Sequence, residues 1–334
     1  MWPSVETSYT GIEAKMQHCC GKWRPLFALF AAIALSPPLP ASDNPNCPFS
    51  GCGSQPDDRV LALPVRALTF DLKALDSLQP SNFVVKDGKS RIGICGVTHD
   101  RQPVSVGIVL DISTSMRGSI SDLAAIARAG VGKLLDTSQP DDEYFLEYVK
   151  DVATMQCGFG CDLQQIRDNL QIHRKGKTAL IDGLLMALRE MSKAHHANRV
   201  LLLVSDGLEN RSVHKFKELE RASADLPVPL FLLVPAEHSH PPDGEELEAR
   251  NRLLRLVSHS GGYNVAVFDA KEAIAVVTGL ASVIRSPYVL YFARPRQSVG
   301  GLDIAVKDVR PRPRIFYGPA FVTCRGPAAA SHWH

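Results

Sequence analysis

From Pro103 to Arg285 the sequence alternates short, nearly unbroken apolar runs with longer amphipathic ones, and this rhythm restricts the fold more than any other feature. "PVSVGIVLD", "RVLLLVSDG" and "VPLFLLVP" read as strands buried on both faces, with "DEYFLEYV" and "NVAVFDA" as further strands. Between them, "SISDLAAIARAGVGKLLD", "TALIDGLLMALREMSKA", "EELEARNRLLRLVSHSGG" and "KEAIAVVTGLASVIR" carry apolar residues at helical spacing. Ser119 is positioned as an N-cap of the first, and glycines end the third. Alternating units of this size predict an α/β fold, a doubly wound, mostly parallel sheet with helices on both faces.

The flanks are different. Residues 59–100 and 287–325 alternate in short runs, and "KDGK" at Lys86 to Lys89 is a hairpin signal. The expectation is that these two β segments fold together as a small flanking sandwich beside an α/β domain at 101–286, the alternative being two separate additions. Residues 42–58, rich in Pro, Ser, Gly and Asp, read as a linker. Residues 16–41 have the pattern of an export signal. Met16 is the expected start, Lys22 and Arg24 precede the apolar run Leu26 to Leu35, and "SPPLPAS" leads to a cleavage point near Ala41. That run is shorter than the about 20 residues a bilayer requires, so a periplasmic or extracellular protein with no membrane span in the mature chain is expected. A net charge of +2 gives no basic field for nucleic acid.

Cysteine usage fits an oxidising compartment. Cys19 and Cys20 fall within the signal, leaving Cys47, Cys52, Cys95, Cys157, Cys161 and Cys324. Cys47 and Cys52 flank "PFSG", Cys157 and Cys161 flank "GFG", and each pair can close locally. Cys95 and Cys324 then remain for a long-range bridge. Zinc knuckles favour closer spacing than either pair has.

The chemistry lies where the apolar runs stop. Asp111, Ser113 and Ser115 form a D-x-S-x-S triplet directly after a strand, which can be a turn capping the next helix or half of a metal site. Asp206 ends another apolar strand, and Thr178 in "GKTAL" stands just before a helix. In an open parallel sheet these loops gather at the carboxyl edge of the strands, where ligands bind. Oxygen-only donors suit Mg²⁺ or Mn²⁺, and Ca²⁺ less well. Two carboxylates there would repel each other without a cation. Asp182, four residues after Thr178, can orient a ligand or water around the ion, or simply complement the helix dipole. His238 and His240 read as part of an exposed loop.

This constellation resembles the von Willebrand factor type A domain and its metal-ion-dependent adhesion site. The resemblance implies one divalent ion held by Asp111, Ser113, Ser115, Thr178 and Asp206, with the hydroxyls direct and one or both carboxylates through water. It also implies an open coordination position for the acidic side chain of a protein ligand. "LQPSNFVVKDGKSRIGICGV", "VGIVLDISTSM", "SPYVLYFARP" and "GLDIAVKDV" further resemble the related group of exported bacterial proteins. Lys177 stands where that group often has glycine, placing a positive charge beside the site. The function expected is an exported adhesion or scaffold module rather than an enzyme. Metal-assisted phosphoryl transfer from Asp111 would want a second acid two residues on, where Ser113 stands. A third reading is a structural domain whose metal site binds no partner.

Overall fold

The computed structural model describes residues 52, 58–69, 72–114, 120–170, 176–235, 244–295, 301–318 and 322–324. The segment read as an export signal, Ser115, Ser119, His238 and His240 lie outside them.

In chain order the elements are β1 (Asp58–Leu68), β2 (Phe83–Asp87), β3 (Ser90–Ile92), β4 (Ile94–Thr98), β5 (Ser105–Asp111), α1 (Ile120–Asp136), β6 (Glu143–Val149), β7 (Thr154–Cys157), α2 (Leu163–Asp168), α3 (Leu180–Met191) and β8 (Arg199–Val204). There follow α4 (Phe216–Asp225), β9 (Leu230–Pro235), α5 (Gly244–His259), β10 (Asn264–Val267), α6 (Ala270–Arg285), β11 (Tyr288–Pro295), β12 (Leu302–Val306), β13 (Arg314–Phe316) and β14 (Val322–Cys324).

The central sheet has the order β10-β9-β8-β5-β6-β7 and is parallel except at its edge, where β7 runs antiparallel to β6. The α/β class read from the sequence is the one found. β5 is buried at every position because helices cover both its faces. On one side α1 and α6 contribute Val131, Leu134, Val277 and Leu280 to a core shared with Ile108 and Leu202. On the other, α3, α4 and α5 contribute Leu184, Leu219 and Leu253 around Val109, Phe145 and Leu203. Gly107 makes this packing possible, since a Cβ there would fall 2.2 Å from Phe145 Cζ.

Three elements have no counterpart in the sequence reading. α4 buries only Leu219, so its apolar period is faint. β7 has no fully buried position, and α2 buries only Ile166.

The flanking segments form two antiparallel sheets. One has the order β13-β1-β11-β4 with β14 also on β1, and the other is β12-β2-β3. Leu61, Leu63, Phe83, Val85, Phe292 and Ile304 pack between them. This arrangement corrects the cysteine pairing. Cys52 is bonded to Cys95, Cα atoms 5.4 Å apart, instead of closing a local loop with Cys47 or leaving Cys95 for Cys324. The reason is topological: Cys52 packs on Val60 and Val289 of β1 and β11, and β11's other neighbour is β4, which carries Cys95. Cys47 and the side chain of Cys324 lie outside the described residues. Cys157 and Cys161 do pair with each other.

The sandwich joins the α/β layer at the amino ends of the parallel strands. There Gln102 N donates to Arg285 O (2.8 Å), and His99 Nε2 lies 3.0 Å from Ser286 O. Arg285, 1% exposed, closes α6 at this end. Its Nε pairs with Asp142 Oδ2 at 2.7 Å, and its terminal nitrogens donate to Tyr144 Oη (2.7 Å), Thr137 Oγ1 (3.2 Å) and Ala281 O (3.1 Å). Asn198 extends the network, donating to Ile284 O at 2.8 Å and accepting from Arg66 at 3.0 Å.

Candidate metal centre

β5 ends at Asp111 because its last side chain meets hydroxyls instead of apolar atoms. The carboxylate is 2% exposed. Its Oδ1 accepts from Ser113 N at 3.0 Å and Ser113 Oγ at 2.6 Å, and its Oδ2 accepts from Ser205 Oγ at 2.7 Å. Ser113 Oγ in turn accepts from Thr178 Oγ1 at 2.8 Å, and both of these residues are fully buried. Three chain segments, those after β5 and β8 and the one before α3, therefore meet in one knot of oxygen atoms. Asp206 follows Ser205 at the same edge, half-buried, its Oδ1 accepting from Leu208 N at 3.0 Å.

The loops that carry these groups are tied to one another by backbone. Asn210 Oδ1 accepts from Thr178 N (2.9 Å) while Asn210 N donates to Thr178 O (3.1 Å). Thr114 donates from both N (2.9 Å) and Oγ1 (2.6 Å) to Gly176 O. Asp151 Oδ1 accepts from Lys177 N at 2.8 Å, and its other oxygen lies where a Cβ on residue 176 would stand, 1.9 Å away. A side chain at 176 would displace that carboxylate, and at φ 80° glycine adopts the left-handed region cheaply. Lys177 itself is exposed.

Burial pushes the Asp111 carboxyl above the ordinary carboxylate range, opposed by hydrogen bonds from Ser113 and Ser205 and reinforced by the charge of Glu209. A positive ion at the hydroxyl cluster would offset that burial cost. The donors are all hard oxygen atoms, the chemistry that Mg²⁺ or Mn²⁺ prefers. Among the described residues, no three His, Cys, Asp or Glu side chains gather to offer a different metal site. The residues present thus fit a hard divalent cation.

The Asp182 carboxylate faces the turn before α4. Its Oδ2 accepts from Val213 N (2.9 Å), and its Oδ1 accepts from His214 N (3.0 Å) and meets His214 Nδ1 (2.8 Å). Burial raises this carboxyl, but those hydrogen bonds outweigh it and hold the group below its ordinary range. Asp182 thus clamps the turn before α4; α3 brings it to that turn through Ser212 Oγ, which accepts from Asp182 N at 3.1 Å. Asp182→Ala should cost about 1.5–3 kcal/mol of stability in urea unfolding while leaving Mg²⁺ affinity unchanged. A loss of about 10–100-fold in affinity would instead restore the orienting role.

Ser205, Asn210 and Asp151 were missed in the sequence. Ser205 had a visible signal, a hydroxyl between the apolar run and Asp206 in "VLLLVSDG". Asn210 and Asp151 act only because distant loops meet, and no local pattern marks them.

In the sheet the first strand, β5, is central, β6 and an antiparallel β7 lie to one side, and β8, β9 and β10 follow in order on the other. This is a doubly wound, von Willebrand A-like arrangement, as the resemblance in the sequence implied. The oxygen knot sits at the end of the first strand of this layer. No known family profile matches the chain, and no curated protein does. Among solved structures, it is similar to an aerotolerance-related membrane protein from Bacteroides fragilis, crystallised with multiple mutations to serine. Identity is 19% over 53% of this chain and 98% of that one, with a TM-score of 0.42. A von Willebrand factor type A protein from Catenulispora acidiphila is 13% identical over 81% of this chain and 75% of its own, TM-score 0.44. Proximal thread matrix protein 1 from the mussel byssus, solved with a zinc-occupied MIDAS motif, is 16% identical over 60% of this chain and 49% of its own, TM-score 0.46.

Proposed function

We propose that the protein is an exported binding module that captures a protein ligand through a divalent cation, Mg²⁺ or Mn²⁺. Asp111, Ser113, Ser115, Thr178 and Asp206 hold the ion, and an acidic side chain of the partner completes its coordination. The observation that carries this reading is the convergence of Asp111, Ser113 and Thr178 within 2.6–2.8 Å contacts at the carboxyl edge of the sheet. When bound, the ion supplies a positive charge at an otherwise hydroxyl-lined edge. The chain's own residues do the rest. Asn210 ties the loop after β8, and Thr114 the loop after β5, to the segment before α3, and Ser205 holds the Asp111 carboxylate in place. Ser113 stands where phosphoryl transfer from Asp111 would require an acid, which favours binding over catalysis.

Export accords with the two disulfides, Cys52–Cys95 and Cys157–Cys161, and with the signal-like segment at 16–41. Among the described residues no helix is long and apolar enough to cross a membrane.

Calorimetric titration of the full chain with Mg²⁺ and Mn²⁺ tests the site. Saturable binding is expected in the native protein and none in Asp111→Ala or Asp206→Ala, with the fold retained by circular dichroism. An intact protein that takes up neither ion overturns the proposal.

A further inference from the structure

Between α3, α4 and α5 an apolar groove with about 80 Å³ of free volume opens beside the candidate metal centre. That is room for several waters or one apolar side chain. Leu219 and Leu253 form its buried floor, Ile181 and Phe216 its half-buried walls, and Ala249 and Arg252 of α5 its far rim. Its near rim is Gly207 and Glu209, so the loop after β8 carries both groove lining and the candidate ligand Asp206. Gly207 follows Asp206 directly, and Leu180 and Ile181 come just after Thr178.

Charge around this edge is uneven. The carboxylates on the loops are turned onto backbone: Asp151 accepts from Lys177 N, Glu209 from Ile181 N, Arg211 N and Ser212 N, and Asp182 from Val213 N and His214 N. Lys177, Arg211 and Lys215 are exposed on the same loops. Between them Val213 stands 87% exposed, the most exposed large hydrophobic residue described. The loops at this edge thus offer a rim of exposed basic side chains and a candidate cation site, and the apolar cleft opens from the same loop that carries Asp206.

Resting on the binding role proposed above, we infer that the partner presents an extended segment in which an acidic residue is neighboured by a large aliphatic one. The acid meets the ion and the basic rim, and the aliphatic side chain fills the groove. A ligand of acid alone would leave the cleft wet, and an apolar ligand alone would leave the basic rim unmatched.

The test uses the full chain and labelled, end-blocked peptides with a single aspartate flanked by leucines, by glycines, or replaced by asparagine between leucines. Fluorescence polarisation is read in Mg²⁺ and in EDTA. The leucine-flanked peptide should bind about tenfold more tightly than the glycine-flanked one, the factor expected from burying one leucine. Its binding should vanish in EDTA and with the asparagine peptide. Ala249→Trp, which fills the groove from the surface of α5, should erase the leucine advantage without altering Mg²⁺ affinity. Equal binding of leucine and glycine peptides, or no peptide binding by a protein that still binds Mg²⁺, overturns the groove inference alone. Leucine-peptide binding that persists in EDTA also overturns it. Failure to bind Mg²⁺ overturns the reading on which it rests.

Discussion

Asp142→Ala should lower the unfolding free energy by about 3–5 kcal/mol, the cost of leaving a buried charge without its partner. The Asp142 and Arg285 side chains are 0% and 2% exposed, so water cannot replace the lost carboxylate. Asp142 also accepts from Val104 N at 3.1 Å and Gln139 N at 3.0 Å, so the substitution also strips acceptors from the turn that starts β6. Urea unfolding monitored by tryptophan-independent circular dichroism measures the change. Replacing both members with apolar residues, as in Asp142→Leu with Arg285→Met, should recover much of the loss, because the pair's attraction is largely offset by desolvation. A single substitution costing less than about 1 kcal/mol would mean that the ion pair is solvated like a surface pair.

Glu147 sets a second large effect, this time through pH. It is 0% exposed in the middle of β6, and neither carboxyl oxygen has a hydrogen-bond partner. Burial, aided by the charge of Glu190, pushes its pKa up to about 9. The unfolded chain releases this proton near 4.5, so between about pH 4.5 and 9 the folded state binds one more proton than the unfolded state. Stability attributable to Glu147 is therefore intact below pH 4.5 and falls as pH rises, by about 1.4 kcal/mol per unit, until the folded group ionises near 9. At pH 7 the penalty is about 3 kcal/mol. Glu147→Gln abolishes this slope, and Glu147→Met, which also removes the buried polar atoms, should stabilise the protein by about 2–3 kcal/mol at pH 7. Unfolding free energies measured at pH 5, 7 and 8.5 decide the matter. Parallel pH profiles for native protein and Glu147→Gln would show that the carboxyl finds a partner in solution.

The parts of the fold that were legible in the sequence are those where a local pattern and the final environment coincide. β5 reads as buried on both faces because every residue from Val106 to Leu110 is apolar or glycine, and Asp111 stands out because it breaks that run. Ser113, Thr178 and Asp206 were legible for the same reason, each a polar group at the end or start of an apolar element. Glu147 hides by contrast. In "EYFLEYV" an acid at that position reads as the solvent side of an edge strand, yet α3 covers it, with Gly183 opposite close enough that a Cβ would lie 3.1 Å from Glu147 Oε1. The Cys52–Cys95 bridge was not legible because proximity along the chain does not reveal that β11 inserts between β1 and β4. Asp182 was read from helix spacing alone, which fixes the turn of α3 it occupies but not which neighbouring loop descends to meet it.

Both crossings between the sandwich and the α/β layer occur where Arg285, Gln102 and His99 meet, at the amino ends of the strands. Asp111 lies at the other end of the 7-residue β5, and at about 3.3 Å per residue that is a rise of roughly 20 Å. Groups so separated share no side-chain partners, and energetic changes made at one end should sum with those made at the other. The sandwich can therefore serve as a handle: it can be grafted, immobilised or crowded by neighbours without disturbing the candidate metal centre at the far edge.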